Sequence, residues 1–153
     1  MSLIRGKDTE PERIVRKLLT SMGCRYRLQY KKLAGRPDIA MPGRRIAIWV
    51  HGCFWHQHRG CRLARMPKSR EEFWRLKLES NRTRDERREF EARELGWSTL
   101  VIWECELSDQ RLVQARLEAL VSAKNPANPA TRAGRSPLLS PSSGDVSSTN
   151  RVR

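Results

Sequence analysis

Acid is scarce in this chain. Of 153 residues only 17 are Asp or Glu, against 31 Lys or Arg, so the formal net charge is +14 and the pI is near 10.8. Such an imbalance is the electrostatic footprint of a protein that sits on a polyanion. Long hydrophobic runs are missing too. The opening "MSLIRGKDTEPERIVRKLL" has no unbroken apolar stretch that would mark a secretory signal, and no other segment approaches the roughly 18 apolar residues of a membrane span. These absences predict a soluble, cytoplasmic protein with no membrane partner. Cysteine occurs four times, at 24, 53, 61 and 105. In such a compartment these are thiols, which points to metal ligation or buried packing rather than disulfides. Histidine is scarcer still. All three fall inside "VHGCFWHQHRGC", Val50 to Cys61, beside two of the cysteines and two large aromatic rings.

The length suits one domain with a modest core. "TEPERIVRKLLTSMG" predicts a helix over 9–22, with Ile14, Val15, Leu18, Leu19 and Met22 at helical spacing, a Thr9/Glu12 capping box, Pro11 in the first turn and Gly23 as the stop. "RYRLQY" alternates as a strand does, a short extended piece surrounds 38–40, and "IAIWV" is an apolar run expected of a buried strand. A long helix capped by Ser69 and Glu72 and stopped at Gly96, a strand "WSTLVIWEC" and a final helix starting near Ser108 complete the order. Helix, strand, strand, strand, helix, strand, helix predicts an α/β domain with a mixed central sheet flanked by helices over 1–123. Residues 124–153, rich in Pro, Ser, Asn and Gly, are expected to be a disordered basic tail.

Charge is uneven. Residues 1–45 carry twelve basic and four acidic side chains, a candidate phosphate-facing surface with Arg5, Lys7, Arg36 and Arg44 as candidate contacts. Residues 75–94 carry seven and six, as expected of a solvated helix laced with intrahelical pairs.

Cys53, His58, Cys61 and Cys105 form a soft tetrahedral donor set of the structural-zinc type, with Cys105 at the end of the last strand. The competing reading makes Cys53 and Cys105 small buried residues and His58 a surface imidazole; Cys24, with no local partner, is expected to pack. His51 and His56 lie beside this set without being needed to complete it, and imidazole is the commonest proton acceptor in hydrolysis. Asp38, in "GRPDIA", stands just ahead of the buried strand where an aspartate can hold a divalent cation, although Pro-Asp is also common in turns. A Pro-Asp ahead of two buried strands resembles a nuclease metal site, and the carboxylate and lysine that the generic nuclease motif carries on the next strand are replaced here by Ile48 and Val50. Val50 can offer only its carbonyl. Glu12 can supply an acid from the first helix, unless capping is its whole role.

Taken together, "IRGKDTEPE", "YRLQYKKLAGRPDIAMP", "VHGCFWHQH", "EFWRLKLESN" and "LGWSTLVIWEC" resemble the very-short-patch repair mismatch endonucleases, a branch of the PD-(D/E)xK nucleases, over about residues 1–107. The resemblance implies a restriction-endonuclease-like fold. It also implies Mg2+ on Asp38 and the Val50 carbonyl, Glu12 supporting the metal's water shell, and His56 and His51 as catalytic histidines. Cys53, His58, Cys61 and Cys105 would hold Zn2+, and Phe54, Trp55 and Trp74 would be rings that enter the DNA stack. Phe73, beside Trp74, is expected in the core.

The function expected is a Mg2+-dependent endonuclease, acting as a monomer, that nicks one strand of double-stranded DNA beside a T·G mismatch, the lesion left when 5-methylcytosine deaminates. A nucleoid-associated bacterial enzyme with a functional link to a cytosine-5 DNA methyltransferase and to repair machinery follows from that role. The rivals are a zinc-stapled DNA-binding module without catalysis, and a restriction-type endonuclease acting on fully paired sites.

Overall fold

The computed structural model describes residues 7–124. Arg5 and the expected tail beyond Lys124 therefore lie outside the described residues. Helix α1 (Glu10–Ser21) is followed by strands β1 (Arg27–Leu28), β2 (Ile39–Met41) and β3 (Ile46–His51), helix α2 (Glu71–Glu94), strand β4 (Ser98–Trp103) and helix α3 (Gln110–Ala123). This is the predicted order. The sheet runs β1-β2-β3-β4, antiparallel at the first two pairings and parallel at the third. No helix among the described residues is long and apolar enough to cross a membrane.

Strand β3 is buried along its whole length, and its alternation sorts the core. Ile46, Ile48 and Val50 face Val15 and Leu19 of α1 and Val113 and Leu117 of α3. Ala47 and Trp49 face the other way, against Leu33 and Ala92 of α2. His51 follows them in period two and so turns toward α2. Cys24, partly buried, packs against the first cluster, as expected. The ends of α1 also match their sequence signals. Thr9 accepts from the Glu12 N–H, and Gly23, at φ 72°, closes a Schellman turn in which the Cys24 N–H reaches Leu19 and the Gly23 N–H reaches Thr20.

Several boundaries differ from expectation, each for a local reason. The alternating segment 25–30 pairs only at Arg27 and Leu28, because Gln29 adopts a left-handed conformation (φ 47°) that ends the strand. Helix α2 has no Ser69/Glu72 capping box. Arg70, itself left-handed at φ 55°, is the N-cap and makes no capping hydrogen bond, while Glu72 points at Arg75. Asp109 rather than Ser108 caps α3, accepting from the Leu112 N–H. β4 ends at Trp103, so Cys105 sits in the 3-10 turn Glu104–Ser108 just beyond it. The expected intrahelical pairs of α2 are present, among them Arg82–Glu86, Arg87–Glu91 and Arg93–Glu89.

Candidate active site and metal centre

The loop from Gly52 to Arg70 leaves β3 and folds back over the sheet's C-terminal end. It carries the three zinc-type donors of the central motif, and the turn after β4 supplies the fourth. The ligand atoms of Cys53, His58, Cys61 and Cys105 all lie within 4.8 Å of one another. His58 Nδ1 is 3.7 Å from Cys53 Sγ and 3.3 Å from Cys105 Sγ. A tetrahedral zinc ion with ordinary Zn–S and Zn–N bonds separates N and S by roughly 3.5 Å, so the donors are spaced for such an ion. Burial pushes the Cys53 thiol up to about 12 and also raises Cys105, whereas the Leu63 backbone N–H holds Cys61 below the usual thiol range. Two thiols that resist ionisation beside one that favours it are a cluster that a divalent cation would complete. The His58 ring is backed by Trp103, stacked at 4.2 Å and 7°.

Next to this cluster a cleft of about 630 Å³ is lined by Glu12, Asp38, Val50, His51, Trp55, His56 and Asp85, with Arg36, Arg84 and Arg88 also on its wall. The N-terminus of α1, the start of β2, the end of β3, the loop after β3 and α2 each contribute to it. Asp38 and Val50 are joined directly: Asp38 Oδ2 accepts from the Val50 N–H at 2.8 Å, and Oδ1 accepts from Gln29 Nε2 at 3.2 Å. Because the N–H and C=O of one strand residue point to the same side, the Val50 carbonyl opens toward Asp38 as well, past the last β2–β3 pair. Burial, above all, raises the Asp38 carboxyl to about 6. The Glu12 charge adds to this, while the Val50 N–H, Gln29 and His56 oppose it. A carboxylate so poorly compensated, beside an oxygen donor from the backbone, fits a hard divalent cation.

Glu12 is buried, and its capping geometry is partial. Its carboxylate reaches past the cap to the Asp8 N–H (3.1 Å) and takes the Thr9 hydroxyl (3.2 Å). Capping thus accounts for its anchoring, and the cleft accounts for its position.

His51 and His56 are stacked at 3.9 Å with rings 2° from parallel. His51 is buried, and desolvation, with His56 adding, lowers it to about 4 against the opposing pull of Asp85. It is a neutral imidazole at neutral pH. His56 Nδ1 is hydrogen-bonded to Asp85 Oδ2. Burial raises the Asp85 carboxyl, but the hydrogen bond and charge of His56, then His51 and Arg84, outweigh it and hold Asp85 below the usual range. Sequence reasoning missed Asp85. In "RTRDERRE" nothing distinguishes it from the paired acids around it; only the helical phase, once Leu78 and Ala92 are known to face inward, puts it on the same stripe.

Phe54, Trp55 and Trp74 form one aromatic group, with centroids 5.1 to 6.0 Å apart, and none of the three is fully buried. Phe73 does not join the core. It is 46% exposed, edge-on to Trp74, with the Arg70 guanidinium 4.6 Å from its ring centre. Helix α2 turns only Leu78 and Ala92 fully inward, and position 73 falls on its outer side. Of the candidate phosphate contacts, Lys7 is exposed and Arg36 is on the cleft wall, but Arg44 donates to the Val121 carbonyl near the end of α3. Arg84 and Arg88, from a helix expected to serve only as a solvated face, line the cleft instead.

Comparison with known proteins identifies the family. A sequence model described as DNA mismatch endonuclease Vsr matches residues 1–62. The type II nicking enzyme V.XorIIP of Xanthomonas oryzae pv. oryzae is 50% identical over 121 residues, covering 79% of this chain and 88% of that protein. The type II nicking enzyme V.NmeAIP of Neisseria meningitidis is 40% identical, covering 79% and 86%. The DNA mismatch endonuclease Vsr of Escherichia coli K12 is 41% identical over 124 residues, covering 77% and 78%. With relatives this similar over most of both chains, the protein belongs to the Vsr DNA mismatch endonuclease family, DNA-cleaving hydrolases of DNA repair.

Proposed function

We propose that this chain is a Mg2+-dependent endonuclease that nicks one strand of duplex DNA beside a T·G mismatch, using Asp38, Glu12, His51 and His56 as its catalytic residues. The observation that carries the reading is convergence: two carboxylates and an Asp85-bound imidazole, from three elements distant in sequence, line one open cleft.

Asp38 and the Val50 carbonyl would hold the cation, and Glu12 would take hydrogen bonds from its water shell. Bound there, Mg2+ supplies a Lewis acid for the phosphate oxygens and lowers the pKa of water. His56 accepts the proton of the attacking water at Nε2, because Asp85, kept ionised, holds the hydrogen on Nδ1. His51 stays uncharged, so stacking it on His56 adds no like-charge repulsion when His56 becomes protonated. Zn2+ on Cys53, His58, Cys61 and Cys105 would be structural. These four residues would supply a complete ligand set, and an ion held there would fix the loop that carries His56.

Phe54, Trp55 and Trp74 are assigned to the DNA stack. Inserting rings costs a few kcal/mol per unstacked step, and least where pairing is already poor, which favours a mismatch. A T·G pair arises where 5-methylcytosine deaminates, so the role implies a functional link to a cytosine-5 methyltransferase, a cytoplasmic, nucleoid-associated location and action as a monomer. The restriction-endonuclease-like class of the fold is part of the same reading. The test is a labelled duplex with one T·G pair: a single nick in one strand, dependent on Mg2+ and absent from the matched duplex, is expected. Binding without strand breaks would favour a non-catalytic module, and cutting of both strands of a matched duplex would favour a restriction-type enzyme.

A further inference from the structure

The stripe of α2 that faces the sheet runs Leu78, Asn81, Asp85, Arg88, Ala92, at alternating steps of three and four residues. Its ends are apolar and fully buried; its middle is polar. Two of the three polar members have partners, since Asn81 Nδ2 donates to the Trp55 carbonyl at 3.2 Å and Asp85 accepts from His56. Arg88 has neither a hydrogen bond nor an ion pair among the described residues, although the rest of α2 is laced with such pairs.

Arg88 is nevertheless held. Gly35, at φ 86°, lies against its aliphatic stem so closely that a Cβ there would come within 2.7 Å of Arg88 Cβ and 2.8 Å of its Cγ. No side chain fits at 35 without moving the stem. The loop that carries Arg36 is therefore seated on Arg88, and both guanidinium-bearing side chains line the cleft.

The polar groups of that cleft are unbalanced. Every acid in its wall already accepts from the protein: Asp38 from Val50 and Gln29, Glu12 from Asp8 and Thr9, Asp85 from His56, and Glu104 from the Cys53 N–H. The charged side chains left without a partner are donors. Among the described residues the Arg88 and Arg36 side chains have no acceptor, and Trp49 Nε1, on the same wall, is the buried side-chain polar atom without a partner. Arg36 is exposed and Arg88 partly buried, so a surplus of cationic donors faces the open cleft, where an anion would complete them.

We infer that Arg88, seated by Gly35 and flanked by Arg36, is a phosphate-binding residue that holds a DNA backbone phosphate near the one to be cut. A cleft with four carboxylates repels a polyanion, and a guanidinium one helical turn from Asp85, on a stem held by Gly35, offsets that repulsion and helps to set the strand's register. The assignment rests on the cleft being where DNA is cut.

The experiment measures affinity for a T·G duplex and a matched duplex across 50–300 mM salt without Mg2+, for the wild type, Arg88→Ala and Arg88→Lys, with folding checked by circular dichroism. One lost phosphate contact lowers the slope of log K against log salt by about 0.9. Arg88→Ala is expected to reduce the slope by that amount and to weaken both duplexes alike, by about tenfold at low salt. Arg88→Lys should restore the slope. In single-turnover nicking, Arg88→Ala should need about tenfold more DNA than the wild type to reach half its maximal rate, in line with the weakened binding. An unchanged slope and affinity in folded Arg88→Ala overturns the inference, as does a slope that Arg88→Lys fails to restore. A wild-type protein that binds with the predicted slopes yet nicks nothing would instead overturn the proposed function.

Discussion

Asp85 on α2 and His56 in the metal loop, 29 positions apart in sequence, are joined through Asp85 Oδ2 and His56 Nδ1. This link fixes both the tautomer and the direction of the imidazole that faces the cleft. Asp85→Asn is therefore expected to slow nicking by roughly a hundredfold, and His56→Ala by a hundredfold to ten-thousandfold. The double variant should be no slower than His56→Ala alone, because the two act as one unit. Single-turnover rates of the three variants at saturating DNA measure this. Additive losses would mean that Asp85 acts elsewhere.

Asp38 places function and stability in opposition. Its carboxyl is raised from an ordinary 3.8 to about 6. The folded state thus binds the proton more tightly than the unfolded chain, and folding gains stability as pH falls through 6 toward 4. At pH 7.5 the ionised group destabilises the Mg2+-free fold. Asp38→Asn should abolish nicking yet raise stability at pH 7.5 without added Mg2+, by up to about 3 kcal/mol. The gain should fade toward pH 5 as wild-type Asp38 takes up its proton. Urea unfolding at both pH values is the measurement; a variant less stable than wild type at pH 7.5 contradicts the environment described for Asp38.

The metal loop has little apolar packing of its own apart from Cys53, so its order should depend on zinc. One zinc per chain is expected by elemental analysis. Cys105→Ser should lose it and lower Tm by on the order of 10 °C. Full retention of zinc in that variant would exclude Cys105 as a ligand.

The aromatic group is half-exposed and lies outside both core clusters. Trp74→Ala is expected to cost little stability but to weaken binding to a T·G duplex by roughly ten- to a hundredfold, as loss of one stacked ring does. The matched duplex should lose less. Competition binding without Mg2+ compares the two, and equal losses would assign Trp74 to general DNA contact.

The fold was legible where periodicity and end signals agree. Helix α1 carries an apolar stripe between Thr9 and Gly23, and β3 is an unbroken apolar run, so both stand where the pattern puts them. Boundaries failed where a single backbone angle decides them, as at Gln29 and Arg70, because Gln and Arg, unlike Gly, Asn or Asp, give no sequence sign of a positive φ. The clustering of Cys53, His58, Cys61 and Cys105 was legible because soft ligands are rare in this chain. Asp85 and Arg88 were not, because in a helix of alternating charge only tertiary packing says which charges turn inward. Phe73 misled for the converse reason: beside Trp74 it reads as core, yet α2 leaves it outside.

The most direct test is an end-labelled duplex containing one T·G pair, incubated with folded, zinc-loaded protein and Mg2+, with Asp38→Ala alongside. One nick in one strand from the wild type, and none from Asp38→Ala despite binding, is the predicted result. An intact duplex with the wild type, or equal cutting by Asp38→Ala, would contradict the account.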